Sequence, residues 1–519
     1  MDEVRQKAAS PAKTAADLDR FRLRDFVASL SGGDELEIRA APTELADIAK
    51  ILDGCPKAVL FKKAGPEGAE LVGNLMGSRA RLARAFGVAV DALLPEILQR
   101  LKKRPQLNVV SRSAAPVQQV VATGGDCDLT ALPVHLQHGF DGAPYISSGI
   151  DYVVDPRTGL TNVGLRRLML RGRLEAGIDL VAPSDLRAIY EAAVARGENL
   201  PVSFVVGAHP IDHVSGTLRL PGDELELLAS LRGGALPVVK CVTNDIRVPA
   251  DAEMVLEGYL DPRGHVESEG PYGEFLGYYG GVKRNPVFHV TAITRRRDAL
   301  FQTTTIGGRS MGRTETAQLT ALRTEVMIWR ALETAVREPK AVYVTPSSGG
   351  MYNVRIALRQ RVPGEARNAI AAAMASLSNV KHIFVVDPDI DIFSDDQMDW
   401  ALATRFQADR DLVVQSGMRV TPLDPSLEGR LSGAKAGFDL TWPFQAGAAV
   451  EHAIPEAPRY PGKRYPSLEA ALVDGPKYFE ELMAALGSRD GREIVRALDQ
   501  FRRAGKLDHD ERGRYRLQG

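Results

Sequence analysis

Cysteine is scarce in this chain: Cys55, Cys127 and Cys241 are the only three in 519 residues, odd in number and without CxxC spacing. That scarcity excludes a disulfide framework and a zinc ribbon, and leaves three reduced thiols of a cytoplasmic protein. Net charge is equally thin. Lys and Arg number 65 against 66 Asp and Glu, so no overall field favours nucleic acid or an anionic membrane as a partner. No run approaches the ~20 apolar residues of a membrane span, and the polar, Ala-rich opening to Leu18 lacks the apolar centre of a secretory signal. The reading is a soluble chain with a mobile leader that is not exported. Absent too are a Walker A loop, a GxGxxG after a strand, GxSxG, HExxH and paired-cysteine motifs, which removes the common nucleotide, serine-hydrolase and zinc chemistries.

What is present divides into four stretches, as a chain too long for one core should. Residues 20–108 read as an N-terminal α/β unit: Leu23, Phe26, Val27 and Leu30 fall at helical spacing, and Gly32-Gly33 ends the helix. Residues 109–320 alternate β-branched apolar runs with Gly, Pro and Asp turns, the texture of a β-rich barrel. Residues 150–154 and 160–165 are expected to pair through the turn Asp155-Pro156-Arg157-Thr158-Gly159. Residues 202–206, 238–241 and 287–293 are expected strands of the same domain. Residues 321–459 alternate helix and strand, which implies an α/β sheet covered by helices. Its Asp-rich stretch, 387–399, lacks EF-hand spacing and reads as a solvated loop. Residues 460–519 form a helical extension closed by a hairpin. This is a small winged-helix-like module whose mixed charge favours packing or oligomerisation over DNA binding.

The densest chemistry lies in Glu269-Gly270-Pro271-Tyr272-Gly273-Glu274, where a Gly-Pro-Tyr-Gly turn can aim two carboxylates into one pocket. Crowded carboxylates ionise unequally, so one can hold a proton near neutral pH; an acidic surface loop is the bland alternative. Upstream, Asn162, Gly164 and Arg166 share one face of an expected strand and Arg167 takes the other. An Arg beside two acids keeps one ionised, although Arg pairs on strands commonly face solvent. Glu224 opens an expected helix, where the macrodipole alone would favour an acid.

These segments, in this order, resemble the UbiD family of prenylated-FMN-dependent (de)carboxylases. The resemblance rests on Leu71-Val72-Gly73-Asn74-Leu75-Met76-Gly77-Ser78, Asp128-Leu129-Thr130-Ala131-Leu132-Pro133, residues 162–167, Val239-Lys240-Cys241-Val242-Thr243-Asn244-Asp245, Val248-Pro249-Ala250-Asp251-Ala252-Glu253, and the turn at 269–277. It spans residues 23–441. It implies a central split β-barrel that holds prenylated FMN, an α/β C-terminal domain that assembles a homodimer or homohexamer, and a separate flavin prenyltransferase that supplies the cofactor. The family's catalytic Arg, Glu and Glu fall on Arg167, Glu269 and Glu274, with Glu274 as proton donor. Its metal, Mn²⁺ or Mg²⁺, sometimes with K⁺, falls on Asn162, Glu224 and Asp185. Asp185 stands where the family commonly has His, and a carboxylate suits those hard cations. Leu165, Arg166, Arg167 and Ser184 are implied flavin contacts, and Lys435 is implied to close over the flavin phosphate.

The implied reaction is reversible decarboxylation of an aromatic or heteroaromatic, α,β-unsaturated acid. Loss of carbon dioxide from an sp² carbon needs an electron sink that side chains lack. Arg309, in the loop at 303–309, points to a second anionic group on that acid, or simply to solvent. Two other classes stand beside this reading. One is a flavin-dependent oxidoreductase, which would need a nicotinamide fingerprint that is missing. The other is a non-catalytic assembly subunit, which has no chemical use for Arg167, Glu269 and Glu274 together.

Overall fold

The structure is a computed structural model that describes residues 17–103, 106–444 and 457–518. Most of the expected leader, and the junction before the expected C-terminal extension, lie outside the described residues. The chain forms two compact units, divided between residues 446 and 447.

In the first unit, amphipathic helices Leu23–Ser29 and Leu45–Leu52 bury Phe26, Val27, Ile48 and Leu52 against an N-terminal sheet. That sheet runs Leu36–Arg39, Ala58–Ala64, Ala69–Gly73, Phe301–Gln302. Its last strand comes from the stretch assigned by sequence to the central domain. A two-residue strand carries no periodicity to announce this pairing.

The centre is a barrel. Six antiparallel strands follow one another around it: Met254–Leu260, Leu200–Val206, Tyr145–Val154, Thr161–Leu170, Glu175–Ile178 and Val287–Arg295. Pairing between the first and last closes the ring, and closure removes the exposed edges that an open sheet leaves. Inside it, Phe204 and Phe288 meet edge to face at 4.8 Å among Ile146, Leu168 and Leu256. The expected hairpin around Asp155 is the longest pairing in the ring. One expected barrel strand is not part of it: Ala235–Lys240 joins Gln106–Val109 and Arg247–Pro249 in a separate sheet, because it pairs parallel with a segment preceding the barrel.

The helix Glu315–Ala335 then leads to a five-stranded sheet ordered Pro339–Val344, Asn353–Leu358, His382–Val386, Ser432–Asp439, Leu412–Arg419. The helix begins six residues earlier than its apolar pattern suggests, since Thr314 caps it by accepting from Ala317 N. In the Asp-rich loop, Asp387 and Asp389 pair with the buried Arg405 and Asp395 with Arg355. No described group of three or more His, Cys, Asp or Glu is placed to hold a metal ion. Among the described residues no helix is long and apolar enough to cross a membrane.

The second unit has its own core, with Leu472, Leu482, Ile494 and Leu498 at the centre. Helices Leu468–Val473, Phe479–Leu486 and Gly491–Arg503 are followed by the hairpin Leu507–His509 and Tyr515–Leu517. Lys477, between the first two helices, pairs with Tyr515 as a one-residue third strand.

Candidate active site

The two acids that bracket the turn at 269–274 meet on one guanidinium. Arg167 leaves the barrel strand Thr161–Leu170 on the face opposite Arg166, as strand alternation requires. Its Nε donates to Glu269 Oε1 at 3.0 Å and its Nη1 to Glu274 Oε2 at 3.2 Å, while Nη2 lies 2.9 Å from Asp179 Oδ2. Glu269 is fully buried and Glu274 almost so. The Tyr272 ring lies under the guanidinium, 4.3 Å from its centre, which adds cation–π attraction.

Sequence reasoning missed three members of this cluster. Lys283 Nζ reaches Asp179 Oδ2 at 2.9 Å and Glu274 Oε1 at 3.2 Å. Asn285 Nδ2 donates to Glu269 Oε2 at 3.3 Å, and Asp179 is the shared carboxylate. Lys283 and Asn285 share one face of the short strand Lys283–Asn285, which pairs with Glu267–Glu269 and sets Lys283 opposite Glu269. The available signal was a Lys and an Asn two residues apart, just after the acid-rich turn. Two cations thus serve three carboxylates. Burial opposes ionisation of Asp179, yet Arg167 and Lys283 hold its carboxyl below the usual aspartate range. Burial likewise opposes charge on Lys283, and Asp179 and Glu274 outweigh it and raise its pKa.

Beside the turn, His138 pairs with Asp141 at 3.1 Å, and Asp141 Oδ1 accepts from Gly273 N at 2.9 Å. A Cβ on Gly273 would come within 2.4 Å of the imidazole, so only glycine lets the ring lie against the turn. His138 also lines a cavity of about 420 Å³ between the N-terminal unit and the loop at 303–310. Lys50, Arg309 and Arg313 bring cations to its wall, Asp53 an acid, and Thr303, Thr304 and Thr305 a polar floor.

Two of the residues implied as metal ligands, Asn162 and Glu224, meet on the opposite face of the Arg167 strand, while Asp185, at the start of the helix Asp185–Arg196, acts on Glu224 through its charge. Glu224 opens the helix Glu224–Arg232, which Asp223 caps and ties to Thr161 N at 2.8 Å. Glu224 Oε2 accepts from Asn162 Nδ2 at 2.8 Å and from Val163 N at 2.6 Å, and Arg219 lies 3.5 Å from Oε1. Burial pushes the Glu224 carboxyl up to about 7 against the pull of Arg219, and the negative charge of Asp185 adds to the rise. One amide oxygen and two carboxylates are the hard donor set that Mg²⁺ and Mn²⁺ prefer, so these residues fit such an ion chemically. Ser184 caps the helix Asp185–Arg196 and accepts from Arg166 Nη2 at 3.2 Å. Arg166 Nε and both oxygens of the buried Asp151, 3.8 Å apart at closest, have no hydrogen-bond partner among the described residues. Unsatisfied buried polar groups of this kind mark a place for a ligand.

Lys435 stands apart from both clusters. Its buried ammonium donates to Met374 O at 2.7 Å and Leu377 O at 2.6 Å, at the C-terminal end of the helix Glu365–Ser376. Cations are favoured there by the helix dipole. The arrangement seen holds this side chain inside the five-stranded domain.

Models of the N-terminal, Rift-related and C-terminal domains of 3-octaprenyl-4-hydroxybenzoate carboxy-lyase match residues 34–101, 108–310 and 317–440 in turn. The chain belongs to the UbiD family. It is thereby an enzyme of the carboxy-lyase class. Anhydromevalonate phosphate decarboxylase of Methanosarcina mazei is 32% identical over 421 residues, 80% of this chain and 95% of that protein. The UbiD-class enzyme HmfF of Pelotomaculum thermopropionicum, solved with FMN, superposes with a TM-score of 0.78 at 33% identity, covering 84% of this chain and 97% of that one. The 3,4-dihydroxybenzoic acid decarboxylase of Klebsiella pneumoniae does so at 0.75 and 29%, covering 85% and 98%. UbiD membership and the barrel agree with what the sequence implied.

Proposed function

We propose that this UbiD-family protein removes carbon dioxide, reversibly, from an α,β-unsaturated carboxylic acid with the help of prenylated FMN. The observation that carries the reading is the single guanidinium of Arg167 shared between Glu269 and Glu274 on a UbiD barrel. Prenylated FMN, when bound, supplies the electron sink that an sp² carbon needs in order to release its carboxylate. Asn162, Asp185 and Glu224 would hold the divalent ion that secures the flavin phosphate, and Leu165, Arg166 and Ser184 would contact the flavin itself.

The chain's own work is positional and protonic. Glu274, a carboxylate gripped on one oxygen by Arg167 and on the other by Lys283, takes up a proton from solvent, delivers it to the carbon that has lost carbon dioxide, and returns to the carboxylate. Arg167 and Glu269 fix the direction in which that carboxyl points, and Tyr272 covers the guanidinium and keeps water from it. An oxidoreductase on the same barrel would need a nicotinamide site, whose fingerprint the sequence lacks.

Two substrate readings stand. An aromatic or heteroaromatic acid accords with the substrate in the name of the Klebsiella enzyme. An acyclic acid bearing a phosphate accords with the name of the Methanosarcina relative, and the cations Lys50, Arg309 and Arg313 at the cavity wall favour a second anionic group. Assembly as a homodimer or homohexamer and supply of cofactor by a separate flavin prenyltransferase complete the proposal. The test is to co-produce the protein with such a prenyltransferase, record its absorbance and the intact cofactor mass, and measure carbon dioxide release from aryl acids and phosphorylated enoic acids. Release from either class with prenylated flavin bound supports the reading; a protein that never retains flavin refutes it.

A further inference from the structure

The second unit lies beyond all three matched domains, which end at residue 440. Its order of elements is helix, one-residue strand at Lys477, helix, helix, hairpin, with Lys477 N and O both bonded to Tyr515 at 3.0 and 2.9 Å. That is the arrangement of a winged helix, in which the third helix is displayed outward and the hairpin forms the wing.

On the helix Gly491–Arg503 and along residues 507–517, seven arginines stand against five acids, Glu493, Asp499, Asp508, Asp510 and Glu511. Ile494 and Leu498 face the core, so Arg492, Arg496 and Arg503 fall on the outer face at helical spacing together with Asp499, and Val495 and Arg502 flank it. Arg492 and Arg503 are 82% and 81% exposed. The wing adds Arg512, Arg514 and Arg516. The first two helices carry the opposite sign, with Glu469, Glu480 and Glu481. Some of the arginines touch neighbouring acids: Arg492 with Asp490, Arg503 with Asp499, Arg514 with Asp510 and Arg516 with Asp508, all at 2.6–2.9 Å. Such surface pairs are weak and exchange readily for a phosphate. Arg489, Arg496 and Arg512 have no ion pair among the described residues. The near-zero charge of the whole chain therefore says little about this face.

We propose that the C-terminal winged helix is a docking module for the phosphate backbone of duplex nucleic acid, engaged through the outer face of the helix Gly491–Arg503 and the wing. Contacts of this kind are largely independent of base sequence and release counterions, so affinity falls steeply with salt.

The experiment is fluorescence anisotropy of the full-length protein on a labelled mixed-sequence DNA duplex, over a series of KCl concentrations. Three or four phosphate contacts give a slope of about −3 in log affinity against log salt, an affinity loss of roughly 60-fold for a fourfold rise in KCl. The double variant Arg496→Glu with Arg503→Glu is expected to bind more than about tenfold more weakly, with carbon dioxide release and unfolding temperature unchanged. The pair Glu480→Gln with Glu481→Gln, on the acidic side, is expected to bind as the parent does. Several results would overturn the proposal. They are no binding at low salt, equal binding by the arginine variant, and displacement by poly-glutamate as effective as by unlabelled duplex, which would make the face an acidic-protein site. A change in sedimentation of the arginine variant without a change in duplex binding would assign the face to a second copy, and would overturn it too.

Discussion

Glu274→Gln separates the proton-transfer role from the structural one. In the protein, Glu274 Oε1 accepts from Lys283 and Oε2 from Arg167, each at 3.2 Å. Glutamine can keep one of those contacts; its amide nitrogen then faces the other cation as donor against donor. The loss is one charge-assisted bond, about 1.5–3 kcal/mol. It is partly offset because two cations are left facing two carboxylates instead of three. The fold and the flavin should therefore survive, with only a modest fall in unfolding temperature. Chemistry should not, because an amide cannot hand over a proton. Loss of a positioned general acid costs a factor of about 10²–10⁴, or roughly 3–5 kcal/mol in the barrier. Glu274→Asp, shorter by one methylene but still a carboxyl, should fall between. Carbon dioxide release at matched flavin occupancy gives the rates, and solvent-deuterium exchange into the product carbon isolates the proton step. A flavin-loaded Gln variant turning over within about threefold of the parent would refute the donor assignment, since that is under 1 kcal/mol.

Arg167→Lys keeps the charge but replaces a fork serving Glu269, Glu274 and Asp179 with one tip; two lost contacts predict a fall of roughly 10² in kcat/KM, and unchanged kinetics would show that charge alone suffices. Asp185→Asn should weaken Mn²⁺ binding, followed by equilibrium dialysis, by about tenfold or more if Asp185 is a ligand; unchanged affinity removes it from the set. Burial lowers Lys435 from 10.5 to about 8, so the unfolded chain holds more protons than the folded one between those values, and its contribution to stability rises as pH rises through that window. The unfolding free energy of the parent relative to Lys435→Met should shift in the parent's favour by at most about 3 kcal/mol from neutral pH to about 10.5, with flavin binding unaffected; a difference flat in pH would contradict this. Arg232→Met strands the buried Asp212 and Asp251, which pair with Arg232 at 2.5 and 2.6 Å, and should cost about 3–5 kcal/mol in unfolding free energy; a variant as stable as the parent would show that water reaches the pair.

Local pattern was enough to read the barrel hairpin. Apolar runs at 150–154 and 160–165, on either side of an Asp-Pro-Arg-Thr-Gly turn, located the hairpin whose strands run over Tyr145–Val154 and Thr161–Leu170, and strand alternation put Arg166 and Arg167 on opposite faces. Long-range pairing was not legible. Phe301–Gln302 completes an N-terminal sheet some 230 residues upstream, and Ala235–Lys240 leaves the barrel for a strand that precedes it. Neither contact leaves a trace in its own neighbourhood. Helix starts were readable only where the apolar pattern began with the cap, which is why Glu315–Ala335 was read short.

The site divides along the same line. Arg167, Glu269 and Glu274 could be named because each sits in a motif with its own local shape. Asp179, Lys283 and Asn285 could not, because they matter only once the barrel has closed and the Glu267–Glu269 strand has found its partner. Lys435 shows the converse. It sits on the strand Ser432–Asp439, but the direction of an ammonium is settled by which unpaired carbonyls lie within reach, and here those belong to a helix end 58 and 61 residues earlier. A charged side chain is drawn to whatever partner the tertiary fold leaves unsatisfied. A motif therefore fixes a residue's place in the chain more firmly than it fixes what its charge will meet. Glu274 shows both sides of this: its contact with Arg167 could be expected from the motifs, and its contact with Lys283 only from the closed barrel.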